Sequence, residues 1–474
     1  MWNPLWSGVR RRSVQVGGWV EVAGAWAQAD GGEGQQDARD QEHRAAADQD
    51  DPFLALGFGD DRLAREAAEQ DHHGARGYGD ERRQASHHEA DHASHGARVA
   101  GRLAPALHGV QTGRVSAPGA IVVGGGIYGW GCAWRLAQLG AAVTVIDPRD
   151  TDDGERASGG VTRVLRLEYG AGAVYSELTL RAHAAWRQIE QATGEDLYRE
   201  VGVLFLVPQG DEGAWEHSSL AVLDGLGVAG RQLDLGEIGR RWPSIRPEGI
   251  AWGVANPIGG FLWAQRATRV IARLGQAAGA RYVRRRVIAS DGAGVDLDDG
   301  AHLEADIVVL TTGAWSASLV PDIAIRPTRQ VTAYLAGGPA EVPVFGEGAP
   351  FAMYGMPAHD GFGMKIGSHV TGRQADPDDP AERIATDEDL EPIRAYATRR
   401  FGMTGGDARI VRADVCFYAM TPTEDPVVDR LDDGRVLCAG FSGHGFKFAP
   451  VLAPAVAEFA LGHEPSSDLR PFRR

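Results

Sequence analysis

Apolar residues gather into short runs that become regular only after about residue 118. Residues 121–123 and 143–146 are two such runs, and their length predicts buried strands. Between them, apolar positions recur at helical spacing until Gly140 ends the pattern. The chain therefore predicts a strand, a tight turn, a helix and a second strand over residues 120–147.

Further runs predict the elements of the remaining chain. Helical spacing predicts helices at residues 176–193, 263–278 and 450–461. Short or alternating apolar runs predict strands at residues 203–207, 281–290, 301–310, 329–335, 361–367 and 435–439. A polar, proline-containing loop is predicted at residues 376–382. Elements in this order predict an α/β cofactor domain with a second portion, rich in antiparallel sheet, inserted in pieces.

The first predicted turn contains the spacing G-x-G-x-x-G at Gly124, Gly126 and Gly129, and Asp147 ends the next strand. Gly124 permits the turn, Gly126 lets the backbone approach a pyrophosphate, and Gly129 lets the helix press on the strands. The helix N-terminus offers free N–H groups to phosphate, and an acid about 20 residues on can accept ribose hydroxyls. These features favour dinucleotide binding over a glycine-rich loop that serves packing alone.

Small residues recur in three later loops, one after Asp147, one after the strand at 301–310 and one after the strand at 435–439. The candidate cofactor contacts in these loops are Ser158, Thr162, Gly313, Gly443 and Gly445. Several glycine turns indicate one large cofactor held at several points. This favours FAD over NAD, whose site is usually made within one continuous fold.

The composition disfavours several classes of binding partner. The 474 residues carry a formal charge of −16, which disfavours nucleic acid and anionic membranes. No apolar run is long enough to span a bilayer. Three cysteines are too few for a disulfide framework and lack zinc spacing, so we expect no metal.

Residues 1–117 differ in composition from the rest of the chain. Their dense charge and low hydrophobicity predict a disordered or non-native extension, which a wrongly assigned start codon would explain. Six histidines at 72, 73, 87, 88, 92 and 95 are spaced irregularly, which favours a solvated tail over a metal tract. Arg10, Arg11 and Arg12 precede a faint export-like segment that glycines and Glu21 interrupt.

Seven segments, in order, carry a resemblance to a known family. They are VVGGGIYG with Asp147, TRVLRLEYG, TTGAW, MYGMP, MKIGSH, DVCFY and GFSGHGFKF. Residues 117–461 resemble the monomeric sarcosine oxidase and N-methyltryptophan oxidase family, within the D-amino-acid oxidase group of flavoproteins. The resemblance implies an α/β fold, with a Rossmann-type FAD-binding domain and an inserted, mainly antiparallel β-sheet substrate domain. It assigns residues 118–199, 258–326 and 420–470 to the first and 200–257 and 327–419 to the second.

The resemblance also implies roles for single residues. Cys416 matches the cysteine that attaches FAD covalently through the flavin 8α carbon, a reaction that needs the thiolate. Arg166 and Lys447 match the residues that bind the substrate carboxylate, and Lys447 also contacts the cofactor. Lys365 matches the lysine that assists the reaction of reduced flavin with oxygen, since a cation stabilises the superoxide formed.

Four further residues match the surroundings of substrate and flavin. They are Arg163, which helps to set the field around the flavin, and His369, Tyr354 and His444. His369 is a candidate to tune the substrate amine, because histidine titrates near neutral pH. A lone histidine or tyrosine is more often structural. The alternatives for the other residues are a buried cysteine for Cys416, an ion pair with Glu168 for Arg166, a phosphate or surface contact for Lys447 and an edge-strand lysine for Lys365.

The implied activity is oxidation of a secondary amino acid, N-methyl or cyclic, to an imine by FAD, with oxygen as acceptor and hydrogen peroxide as product. We expect a cytoplasmic monomer. Departures from the family at Leu167, Glu168, Ser368 and Phe417 leave the substrate open among sarcosine, N-methyltryptophan, pipecolate and proline. The alternatives are a dehydrogenase or biosynthetic imino-acid oxidase, and a flavin-binding subunit without catalysis.

Overall fold

A computed structural model describes residues 117–473, except 152, 155, 349–351 and 360. The extension predicted at residues 1–117, with its histidines and its export-like segment, lies outside the described residues apart from Ala117. No helix in the described part of the chain combines the length and the apolar character needed to cross a membrane.

The helices of the described residues follow the predicted pattern and add to it. In chain order they are α1 (Ile127–Gln138), α2 (Ala173–Thr193), α3 (Ala214–Gly225), α4 (Leu235–Arg241), α5 (Ala264–Ala277), α6 (Ser316–Leu319), α7 (Asp387–Phe401) and α8 (Ala449–Ala460).

The strands fall into two large and two small sheets. In chain order they are β1 (Gly119–Val123), β2 (Ala142–Ile146), β3 (Thr162–Leu165), β4 (Tyr198–Glu200), β5 (Val203–Pro208), β6 (Arg231–Leu233), β7 (Ile250–Asn256), β8 (Gly260–Trp263), β9 (Arg281–Val283), β10 (Val287–Ser290), β11 (Gly294–Leu297), β12 (His302–Glu304), β13 (Ile307–Leu310), β14 (Arg326–Leu335), β15 (Val344–Glu347), β16 (Met353–Met356), β17 (Met364–Gly367), β18 (Ile410–Met420), β19 (Val427–Arg430) and β20 (Val436–Ala439).

The first large sheet has six strands in the order β19-β20-β13-β1-β2-β9. All neighbours are parallel except β19 and β20. Helix α1 packs against α5 and α8, and its Gly131 lies so close to α8 that an added Cβ would be 2.7 Å from the Ala453 side chain. Parallel strands bring their carboxyl ends to one edge, so the turns after β1, β2, β13 and β20 meet there.

The second large sheet has eight strands in the order β18-β14-β17-β16-β15-β5-β7-β6. Its pairs are antiparallel except β5 with β15, which are parallel. Helix α7 packs on this sheet through Leu390, Ile393 and Tyr396, which join its apolar core. The predicted fold class, a Rossmann-type domain with an inserted and mainly antiparallel sheet, is confirmed.

Two predicted strands are broken in the structure. Residues 281–290 divide into β9, in the six-stranded sheet, and β10, in a three-stranded sheet, and residues 301–310 divide likewise into β12 and β13. The predicted strand at 361–367 begins only at Met364. An apolar run does not reveal that the chain changes sheets within it, because both halves are partly buried. The division into domains stays a prediction.

Candidate active site

A cavity lies between the two large sheets and extends from the glycine turn after β1 to the loop before α8. Every residue predicted for the site lines this cavity except Gly129. Those that do are Gly124, Gly126, Asp147, Ser158, Thr162, Arg163, Arg166, Gly313, Tyr354, Lys365, His369, Cys416, Gly443, His444, Gly445 and Lys447. The fold therefore brings together residues that are up to about 320 positions apart.

The glycine turn has the geometry of a phosphate-binding turn. Gly124 has a φ of +106°, and a Cβ added to Gly129 would lie 1.7 Å from the Gly124 carbonyl oxygen. Helix α1 follows Gly126, and within the described residues no side chain caps its N-terminus. Its first N–H groups therefore point toward the cavity without a capping side chain, which suits a pyrophosphate.

The Asp147 carboxylate accepts hydrogen bonds from the backbone N–H groups of Gly125, at 2.7 Å, and Arg149, at 2.8 Å. It also forms an ion pair with Arg156, at 2.8 Å, and both side chains are buried. A ribose at Asp147 therefore shares the carboxylate with Arg156. The sequence did not single out Arg156, because its only local signal is an arginine among the small residues after β2.

A polar cluster of Asp378, Arg286, Trp315 and Arg149, which we term the Asp378 clasp, borders the cavity on the side of Asp147. The Asp378 carboxylate accepts two hydrogen bonds from Arg286, at 2.9 and 3.0 Å, and one from Trp315 Nε1, at 3.0 Å. Arg149 lies 3.9 Å from the same carboxylate and its guanidinium stacks 4.6 Å from the centre of the Trp315 ring. Arg149, Arg286 and Trp315 line the cavity, so the segment after β17 is tied to the six-stranded sheet here.

Lys365 is a buried cavity residue on β17, 4% exposed. Its Nζ donates to the Thr162 carbonyl oxygen at 3.0 Å, and Arg163 Nη1 donates to the same oxygen at 2.7 Å. Burial, and next the charge of Arg163, lower the pKa of Lys365 to about 7. An edge-strand lysine in solvent, the structural alternative, does not describe this side chain.

Cys416 is half-buried on β18, opposite Gln330 of β14. Burial raises the pKa of the thiol, while the charges of Arg163 and Lys365 lower it by a smaller amount. The two cations favour the thiolate, but desolvation outweighs them.

Arg166 and Lys447 meet at the far end of the cavity. Lys447, 3% exposed, donates from Nζ to the Tyr169 hydroxyl at 2.7 Å and to the His444 carbonyl at 2.8 Å. Burial, and next the charge of Arg166, hold the pKa of Lys447 well below its usual value. Arg166 donates to the backbone carbonyl of Glu168, and the buried Glu168 side chain accepts from the Leu167 N–H at 3.1 Å.

His369 and His444 flank this end of the cavity as neutral side chains. Burial, with the charges of Arg166 and Lys447, lowers the pKa of His369 to about 3, and burial holds that of His444 well below its usual value. The pKa of His369 thus departs from the expected value near neutral pH, chiefly because the ring is buried. His444 Nε2 lies 3.2 Å from the Glu424 carbonyl, so this nitrogen carries the hydrogen.

Tyr354 and Tyr418 form the wall beside His369. Burial raises the pKa of both phenols, so they stay protonated. The Tyr418 hydroxyl lies 3.3 Å from His369 Nδ1, and a Cβ added to Gly443 would lie 2.3 Å from the Tyr418 ring. Tyr418 belongs to the DVCFY segment, whose predicted functional residue was Cys416 alone. Its position two residues after Cys416 on one strand was the available signal.

The scarcity of lysine in the sequence is a further signal that points to the site. The chain contains two lysines, Lys365 and Lys447, and all the others among its 48 Lys and Arg residues are arginine. Both lysines are buried and line the same cavity. Lysine is kept where a compact cation with a readily shifted pKa is useful, which arginine does not provide.

Comparison with known proteins agrees with this geometry. Residues 120–459 match the family described as FAD dependent oxidoreductase. The chain is 29% identical over 379 residues to a monomeric sarcosine oxidase of Bacillus sp. (strain B-0618), covering 74% of this chain and 94% of that protein. It is 30% identical over 374 residues to an N-methyl-L-tryptophan oxidase of Citrobacter koseri, covering 74% of this chain and 97% of the relative.

Solved structures share the fold. An L-proline dehydrogenase from P. horikoshii superposes with a TM-score of 0.64 at 23% identity, covering 75% of this chain and 96% of that one. A glycine oxidase from Geobacillus kaustophilus gives a TM-score of 0.65 at 19% identity, covering 75% of this chain and 98% of that one. The resemblance stated from sequence motifs is thereby confirmed.

Proposed function

Because the chain belongs to the family of FAD-dependent oxidoreductases, we propose that it is an oxidase of secondary amino acids, N-methyl or cyclic, that produces an imine and hydrogen peroxide. The relatives named for sarcosine and N-methyltryptophan oxidation support this substrate class. The observation that carries the proposal is the placement of the two lysines of the chain in one cavity, one beside Arg166 and one beside Cys416.

The residues of the cavity fit FAD. The uncapped N-terminus of α1 and the close contact of Gly129 with Gly124 suit the pyrophosphate, and Asp147 suits the ribose of the ADP half. Ser158, Thr162 and Gly313 continue the same cavity wall. FAD, when bound, accepts a hydride equivalent from the substrate C–H bond and passes the electrons to oxygen.

Arg166 and Lys447 bind the substrate carboxylate. A guanidinium presents paired donors to a carboxylate and an ammonium adds a point charge. The carboxylate favours the charged form of Lys447, whose pKa is otherwise held down by burial and by Arg166. Binding of the carboxylate therefore favours a proton on Lys447 Nζ. His369 and His444 are neutral and add no positive charge beside these residues. The substrate amine is expected to bind here in its uncharged form.

Lys365 would supply the cation that assists oxygen, and Cys416 would hold the flavin through its 8α carbon. The thiolate is the form of Cys416 suited to this, and Arg163 and Lys365 both favour loss of the thiol proton. Tyr354 and Tyr418 bound the space between these groups and the carboxylate end. In this proposal the group that assists oxygen and the groups that bind the carboxylate are different residues of one cavity.

The test is a peroxide assay on the purified chain with sarcosine, N-methyltryptophan, pipecolate and proline, and with the amide of each as control. We expect peroxide from at least one acid and a much higher KM for its amide. Flavin reduction without peroxide would replace the oxidase with a dehydrogenase. A flavin that none of these amines bleaches would indicate a subunit without catalysis.

A further inference from the structure

Tyr169 lies behind the two cations that face the substrate carboxylate, three residues after Arg166. It is not among the residues that line the cavity. Its contacts are instead with the cations themselves, and these contacts use two different parts of the side chain.

The hydroxyl and the ring of Tyr169 hold one cation each. The hydroxyl oxygen accepts from Lys447 Nζ at 2.7 Å. The Arg166 guanidinium carbon lies 4.1 Å from the centre of the ring, within the range of a cation–π contact. A single phenol therefore fixes the positions of two like charges that repel each other.

Tyr169 does this without neutralising either charge. Burial raises its pKa to about 12, although the charge of Arg166 lowers it, so the phenol stays protonated. An Asp or Glu at this position would pair with Lys447 and remove the charge that an incoming carboxylate needs. A neutral acceptor holds Lys447 Nζ in place and leaves it able to carry its charge when a carboxylate binds.

The Tyr169 side chain is in turn held by its neighbours. The Tyr175 ring stacks on it with centres 5.0 Å apart, and the Tyr175 hydroxyl donates to Asp425. On the other side, Trp186 Nε1 donates to the Lys447 backbone carbonyl at 2.9 Å. The relative position of phenol and ammonium is thus set from both ends.

We propose that Tyr169 is a positioning residue that presents Arg166 and Lys447 to the substrate as a preformed carboxylate site. The proposal rests on the proposed function and adds to it a residue that does not line the cavity. Tyr169 acts on carboxylate affinity and leaves the chemical step to other groups.

The test compares Tyr169→Phe with Tyr175→Phe in the full chain with flavin bound. Both changes remove one hydroxyl from stacked tyrosines, but only the first removes one of the two acceptors of Lys447 Nζ and leaves it the His444 carbonyl. The probe is methoxyacetate, a carboxylate without an amine, and binding is read from the change in flavin absorbance. We expect about tenfold weaker methoxyacetate binding in Tyr169→Phe, the loss of one hydrogen bond to a charged group, and wild-type binding in Tyr175→Phe.

Three further readouts separate positioning from a merely structural role. In Tyr169→Phe, KM for the amino acid should rise about as much as the dissociation constant while kcat at saturation changes by less than about twofold. In a Lys447→Met background, Tyr169→Phe should have no further effect on methoxyacetate binding. Methoxyacetamide binding should not change between Tyr169→Phe and the wild type.

Equal losses in Tyr169→Phe and Tyr175→Phe, or wild-type binding in Tyr169→Phe, would overturn the proposal. If Tyr169→Phe does not fold, the hydrogen-bonded pair is tested through its other member, with Lys447→Met. Unchanged methoxyacetate affinity in Lys447→Met would overturn the proposal, and a loss of about tenfold would support it. The binding assay needs no turnover, so it succeeds or fails even if no N-methyl amino acid is oxidised.

Discussion

Lys365 and Arg163 donate hydrogen bonds to one and the same backbone oxygen, that of Thr162, at 3.0 and 2.7 Å. A carbonyl oxygen has two lone pairs, so it can accept both. Arg163 alone would satisfy it. The charge of Lys365 is therefore kept inside the protein at a cost that the hydrogen bonding of Thr162 does not require.

Lys365→Met should make the flavin-free protein more stable. The variant removes a buried cation, keeps a side chain of similar length and leaves Thr162 paired with Arg163, so we expect a gain of about 1–3 kcal/mol in the free energy of unfolding at neutral pH. Urea denaturation measures it. The control is Arg412→Met, whose side chain is 42% exposed and which should change stability little or lower it.

The same substitution should alter the pH dependence of stability. The pKa of Lys365 falls from 10.5 to about 7 on folding, so between these values the unfolded chain binds the proton and the folded chain does not. The free energy of unfolding of the wild type should therefore rise as pH increases from about 7 toward 10.5. Lys365→Met should lack this rise. Parallel curves for the two proteins would show that Lys365 keeps its usual pKa.

Oxygen reactivity should also depend on the charge of Lys365. The cation is lost as pH rises through its pKa, so the rate of flavin reoxidation should fall with rising pH, with a midpoint above 7 because reduced flavin carries negative charge. Lys365→Met should reoxidise about 100-fold more slowly and show no such decline. Stopped-flow mixing of reduced enzyme with oxygen measures the rate. Anaerobic reduction by substrate is the control, and an equal loss in both steps would contradict the assignment.

Cys416→Ser should release FAD into the supernatant on acid precipitation, whereas the wild type keeps it in the pellet. Cys438→Ser is the matched control, because Cys438 also lines the cavity and is buried. Attachment to the wild-type apoprotein should be faster at higher pH, since burial raises the pKa of the Cys416 thiol and the thiolate is the reactive form. Flavin that leaves the wild-type pellet would rule out covalent attachment.

Asp147→Asn should weaken FAD binding by about tenfold or more, since a hydrogen bond to a charged group is worth about 1.5–3 kcal/mol. The measurement belongs in a Cys416→Ser background, where FAD binding is reversible, and uses fluorescence quenching of the flavin. Asp306→Asn is the control. The Asp306 carboxylate accepts from the Gly119 N–H at 2.8 Å, a bond of the same kind at the opposite end of β1. Equal losses would point to destabilised strands instead of cofactor contact.

The glycine turn and the Asp147 strand could be predicted because their signals are local. Gly124 and Gly129 must be glycine because a Cβ at either position would collide with nearby backbone atoms. The strands on either side are apolar runs. The family motifs added the cavity residues of the distant strands. Helix α7 was within reach as well, since Thr386 and Asp389 form a capping box and Gly402 ends the helix with a φ of +67°.

The Asp378 clasp could not be predicted. Asp378 pairs with Arg286, which lies 92 positions earlier, and an ion pair of this kind leaves no periodic trace in a sequence. The change of sheet within residues 281–290 was hidden for a related reason, because pairing partners are chosen by the whole fold. The neutral state of His369 was also out of reach, since it depends on how close two cations lie to a buried ring.

The scarcity of lysine decides how the protein responds to amine-directed reagents. Apart from the amino terminus of the chain, its primary amines are the two that line the cavity. Acylating agents attack the uncharged amine, and Lys365, with a pKa of about 7, supplies it under mildly alkaline conditions. The rate of acylation of Lys365 should therefore fall when a ligand occupies the cavity. Coupling to a resin or a dye through lysine would therefore modify the cavity and not the surface of the protein.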